Sequence, residues 1–142
     1  MKLIDEVQSI VEDTICIPFL YASYLNLNSW ADYSSLPCVA CQQLVNGSYV
    51  NEGGLMKDSA NFLLMFLDKT ETDRYTALEN QTIIDKCKER MVDFVRAIDS
   101  STEIMYETGY TYDFMYQEFD VDLTGIALTI TIKERSGEQP CL

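Results

Sequence analysis

The chain contains no histidine, which removes the commonest general base and the commonest metal ligand. No Ser-His or Cys-His nucleophile can therefore be assembled. Neither Gly47 nor the Gly53-Gly54 pair is followed by a lysine at phosphate-loop spacing. A GxSxG elbow is also missing. An enzyme made from this chain would have to work with carboxylates, tyrosines or thiols. Bases are scarce too, with 10 Lys and Arg against 23 Asp and Glu, for a net charge of −13. Residues 97 to 132 hold seven carboxylates and no base, namely Asp99, Glu103, Glu107, Asp113, Glu118, Asp120 and Asp122. Residues 3 to 56 hold six carboxylates and no base. Such surfaces repel phosphate backbones and anionic membranes, and they favour solubility. Long apolar runs are absent: Phe62 to Leu67 is far too short to span a bilayer. Met1-Lys2 leads into Asp5 and Glu6 rather than an apolar segment, so no secretory signal is expected.

What is present suffices for one domain over residues 1–142. Apolar residues make up 47% of the chain, enough to build a core and to exclude disorder as a whole-chain description. A chain of this length buries about 70% of its unfolded surface. The five cysteines, Cys16, Cys38, Cys41, Cys87 and Cys141, are odd in number and fit reduced thiols better than a disulfide framework. Cys38-Val-Ala-Cys41 has the spacing of a redox pair or half a zinc site. Zinc needs further ligands, however, and an i,i+3 pair on a strand points to opposite faces. Small core or surface thiols are the better reading.

Leu3, Ile4, Val7, Ile10 and Val11 form one stripe of an amphipathic helix over residues 2–15, which Pro18 should end. Phe19 to Tyr33 mixes aromatics, including Trp30, with Asn and Ser and has no clean period; a long loop or a partly extended arm both fit. Leu36 to Val45 reads as a strand before an Asn46-Gly47 turn, and Asn51 to Gly54 marks another turn. Asn61 to Leu67 reads as a short central strand. After the polar linker DKTETDR, the residues Ile84, Cys87, Met91, Phe94, Val95 and Ile98 follow helical spacing. Tyr110 to Lys133 is strand-rich and changes phase. Tyr110, Tyr112, Phe114, Tyr116 and then Phe119, Val121, Leu123 are spaced by two, whereas Ile126, Leu128, Ile130 and Ile132 take the opposite parity after Thr124-Gly125. Keeping one face on the core would then need an extra residue, with a bulge or tight turn at Gly125.

The fold class expected is α/β (α+β), a single domain in the order α-β-β-α-β-β. Its sheet is antiparallel or mixed, with helices packed on one face and residues 136–142 as a frayed tail. No internal repeat is visible. Glu118, Asp120 and Asp122 share one strand face at about 7 Å spacing. That is wide for joint ligation of magnesium or calcium. Phe119, Val121 and Leu123 explain the alternation without metal, which leaves a solvated or lumen-facing acidic row. The aromatic row from Tyr110 to Tyr116 lacks the bases of a nucleic-acid platform. Packing on a helix or on a neighbouring subunit suits it better.

The element order, the apolar helix NQTIIDKCKERMVDFVRAI and the run FDVDLTGIALTITIKE resemble the tail terminator (tail completion) proteins of long-tailed bacteriophages and prophages. The likeness covers about the last 60 residues by pattern, and Thr124-Gly125 is its most specific step. It implies a virion structural protein of the tail or neck, assembled in the host cytoplasm, with no catalytic residues, cofactor or metal. Such a subunit forms a homo-oligomeric ring that caps the tail tube protein and then meets the head connector or stopper protein. DNA passes through without specific binding, past a lumen to which Glu118, Asp120 and Asp122 would contribute. The alternatives are another head-to-tail joining or tail-tube subunit, a carboxylate-dependent metal enzyme, or an acidic intracellular binding module.

Overall fold

The computed structural model describes residues 2–23, 36–70, 77–118 and 123–136. Helix α1 spans Lys2–Ser9 and continues as a π-helical turn over Ile10–Ile15. Leu3, Val7, Ile10 and Val11 are its buried stripe. The helix stops at Cys16, which takes a left-handed φ of 63° and is followed two residues later by Pro18. Helix α2 spans Ala77–Asp99 and buries Ile84, Cys87, Met91, Phe94, Val95 and Ile98, the residues its periodicity selects. At its exit the Ser101 hydroxyl accepts the N–H groups of Glu103 (3.1 Å) and Ile104 (3.2 Å) and turns the chain into the next strand.

Seven strands are described: β1 Phe19–Ala22, β2 Cys38–Gln42, β3 Gly47–Glu52, β4 Leu55–Lys69, β5 Ile104–Tyr106, β6 Thr111–Glu118 and β7 Leu123–Glu134. They form one mixed sheet in the order β1-β2-β4-β7-β5, with β3 also beside β4 and β6 also beside β7. Only β1 and β2 run parallel; every other pairing is antiparallel. At the centre, β4 and β7 keep an unbroken register from Ser59↔Lys133 to Lys69↔Leu123.

This order corrects the expected α-β-β-α-β-β. Strand β1 arises inside a stretch with no clean period, and β3 and β5 lie outside the strands expected, Leu36 to Val45 and Tyr110 to Lys133. Strands β2 and β3 lie end to end along one side of β4. Between Cys41↔Leu64 and Gly47↔Ala60 they contain two more residues than β4 does. Strands β5 and β6 repeat this along β7, again with two extra residues between Tyr106↔Ile132 and Thr111↔Thr129. Asn46-Gly47 is therefore no hairpin turn; Gly47 opens β3 after an offset. The hairpin lies at Gly53-Gly54, both with positive φ. The central strand also runs well beyond Asn61 to Leu67, because Leu55 to Ala60 pairs with β3.

Gly125 is a second correction, since it makes neither a turn nor a bulge. It pairs with Leu67 inside β7, and the irregularity falls on β6 between Met115 and Glu118. The phase change is a change of face. Ile126, Leu128, Ile130 and Ile132 join the helices, Phe62, Leu64 and Phe66 in the main core. Leu123 points to the other face, in a smaller cluster with Cys38, Ala40, Met65 and Leu67. A strand buried on both faces at one end needs no inserted residue. What Gly125 supplies is room, as a Cβ there would stand 1.9 Å from the Phe66 carbonyl oxygen.

Candidate functional site

The features most open to a partner are the two ends of the sheet. Among the described residues, β1 pairs only with β2 at one end and β6 only with β7 at the other. Tyr21 is exposed on β1, while Phe19, Leu20 and Ala22 are half-buried. From Thr14 to Val50 the sequence has a single charged residue, Asp32. The β6 end differs: Asp113 and Glu118 lie in the strand, and it contains no base.

The aromatic row divides where α2 runs out. Tyr112 and Phe114 pair with Leu128 and Ile126 and so stand on the helix face of the sheet. Tyr112 is half-buried against the core, with the Lys88 ammonium 5.4 Å from its ring centre. Phe114 and Tyr116 are 53% and 48% exposed beyond the helix. The rings follow one another at 5.9 Å and 6.4 Å. Three neighbouring rings, two of them open to water, form an apolar strip on an acidic strand.

Of the acidic row, Asp120 and Asp122 lie outside the described residues, and the backbone alone of Glu118 is described, opposite Leu123. Trp30, Cys141 and the tail at 137–142 also lie outside them, as do residues 24–35 and most of the DKTETDR linker. No group of three or more His, Cys, Asp or Glu able to hold a metal occurs among the described residues. The CxxC is divided between the faces, with Cys41 in the main core and Cys38 in the smaller cluster. Burial pushes both thiols up to about 12 and that of Cys87 up to about 11. Thiols held protonated in this way are poor nucleophiles at neutral pH.

No known family model matches this chain, and no curated protein is similar to it.

A groove of about 680 Å³ lies between α1 and the end of α2, lined by Glu6, Thr14, Asp93, Arg96 and Glu103. Glu103 is also held by Lys2 at 3.2 Å. Thr14, Asp93, Arg96 and Glu103 are all exposed, so water screens the charges that a catalytic site would need to sharpen. A polar cluster sits on the sheet face away from the helices, where Glu52 bridges Lys57 (3.1 Å) and Lys133. Those two bonds hold its carboxyl below the usual range, the Lys133 bond more strongly. Sequence alone does not bound β1, because Phe19 to Tyr33 fits a long loop as well as a partly extended arm. The charge gap from Thr14 to Val50 was the available signal, about a quarter of the chain in which hydropathy has no period but charge is nearly absent.

Proposed function

We propose that this chain is a non-enzymatic structural subunit of a phage virion, a tail terminator. It forms a homo-oligomeric ring that caps the tail tube and joins it to the head connector. The observation that carries this reading is one sheet with a different edge at each end, each open among the described residues. Two unlike surfaces on one subunit make heterologous contacts, which close into a ring when the rotation between neighbours allows. The net charge of −13 adds support, because an acidic wall lets DNA slide where a basic one would trap it. The resemblance of the second helix and the last strands to tail terminators points the same way.

Mass by light scattering over a concentration series, with electron microscopy of the same fractions, tests this. Closed rings with a central hole, able to cap purified tail tubes, are expected. Rings that stack into long tubes would favour a tail-tube subunit, and association without closed rings would sink the terminator reading.

A further inference from the structure

We propose that copies of this chain join edge to edge. The open side of β1 in one copy adds as a strand to the open side of β6 in the next, and the sheet runs on from subunit to subunit. This deepens the ring reading and rests on it.

Backbone direction identifies the free groups. On β1 the carbonyls of Pro18 and Ala22 accept the N–H groups of Val39 and Gln43, each at 2.9 Å. Backbone groups along a strand alternate sides, so Phe19 and Tyr21 aim theirs away from β2. At the other end the Thr131 carbonyl accepts from Glu107, and the Arg135 N–H donates to Glu103, both at 2.9 Å. Odd-numbered residues of β7 thus turn toward β5 and β6. Thr111 and Asp113, opposite Thr129 and Ala127, are then the residues bonded to β7. Tyr112 and Phe114 aim their N–H and C=O groups outward. Each edge presents two such residues with no backbone partner among the described residues, and such rows are templates for another strand.

Charge selects the occupant. Pairing β6 with a second β6 about a two-fold would bring Asp113 and Glu118 of both copies into one antiparallel seam, in a protein of net charge −13. Like charges across a strand pair are destabilising. Strand β1 sits in the stretch with one charge in 37 residues and meets β6 without that repulsion. Exposed Tyr21 on one edge and exposed Phe114 and Tyr116 on the other supply the aromatic contact that protein interfaces favour.

The test uses a proline at one outward-pointing position on each edge, Tyr21→Pro and Phe114→Pro. Each removes an N–H that faces away from the sheet and leaves the internal ladders intact. Circular dichroism and thermal melting check the fold. Tyr21→Lys and Phe114→Lys keep the backbone donor, blunt the edge with charge and must give the same pattern. Wild type is expected to rise above monomer mass with concentration, while each proline variant stays monomeric. Their equimolar mixture should give a species of twice the monomer mass and nothing larger, because only one β1 and one β6 remain usable. Association of Tyr21→Pro alone would overturn the proposal, as would a mixture that stays monomeric. So would a wild type that stays monomeric up to about 1 mM, the range of the weakest specific contacts. Closed rings formed by both proline variants sink the edge pairing and spare the ring reading. Open filaments of wild type do the reverse.

Discussion

Residues 38–69 and 104–134 build the same unit twice and finish it differently. Each has a broken edge strand with two extra residues at the break, then a long strand. A helix precedes each unit, and both helices pack on the same face of the sheet. A two-fold axis between β4 and β7 exchanges the pair Ala60↔Ile132 with Leu64↔Leu128. The halves part in three places. The first turns through Gly53-Gly54 between the paired Glu52 and Leu55, whereas the last pair of the second is Glu118 with Leu123. The first is preceded by an eight-residue α-helix with a π turn, the second by one of 23 residues. Only the first has an additional outer strand, β1. Apolar parity sets the shared frame, whereas the differences decide which edges stay open.

The comparison breaks most severely at Gly125, which the two-fold exchanges with Lys57. Strand β7 passes Leu67 there, and a Cβ would strike the main chain of Phe66 at 1.9 Å. Because backbone cannot swing aside as a side chain can, Gly125→Ala should cost about 3 kcal/mol, the upper range for overpacking. Lys57 lies where β4 has run past the end of the ladder with β7, and its side chain reaches Glu52. Lys57→Ala should stay within about 1 kcal/mol, as for other part-exposed ion pairs. Urea midpoints of both variants decide the matter. Equal midpoints would mean that β4 and β7 are farther apart at Gly125 than they are here.

The duplication was not legible in the sequence, for a physical reason. The two long strands share parity and not identity: Phe62, Leu64 and Phe66 in one, Ile126, Leu128 and Ile130 in the other. Cores accept such exchanges when volume and pattern are kept. The second helix was fully legible, since Ile84 to Ile98 has one buried face and solvent opposite. The split edge strands were not, because an offset of two residues preserves alternation and leaves no mark in hydropathy. Gly125 was singled out correctly, but a glycine can mean a turn, a bulge or close approach, and only the neighbouring strand discriminates among them. Of the acidic row, alternation named Glu118, Asp120 and Asp122, whereas the open edges depend on which strand lacks a neighbour, a tertiary fact.

A smaller effect sharpens the comparison at the turns. Gly53 and Gly54 adopt φ of 61° and 79°, and neither would place a Cβ within 4 Å of other atoms. The cost of a side chain is then purely conformational. Gly54→Ala should lose about 1–2 kcal/mol, the left-handed penalty for an L-residue. Gly53→Asn should lose only a few tenths, about 0.3 kcal/mol, since Asn tolerates that region. Thermal midpoints check both, and the assembly state should be unchanged because the turn touches neither open edge. Equal losses would mean that packing, and not backbone conformation, holds this turn.

The smallest expected effect concerns a feature that only the first half has. Glu52, at the end of β3, bonds Lys133 and Lys57, and these bonds lower its folded pKa. The two-fold puts Gly125 and Met65 where Lys57 and Lys133 stand, so the second half has no counterpart. A carboxyl with a depressed folded pKa contributes stability above its unfolded value, about 4.3 for Glu. That contribution disappears as pH falls through the folded value. Glu52→Gln should therefore melt slightly below wild type at pH 7. The gap should narrow as pH drops below about 4 and vanish once wild-type Glu52 is protonated. Because the Glu52 side chain is part-exposed, added salt should shrink the same gap at pH 7. A gap that persisted unchanged at low pH would show that Glu52 acts through its packing over the lysine stems and not through its charge.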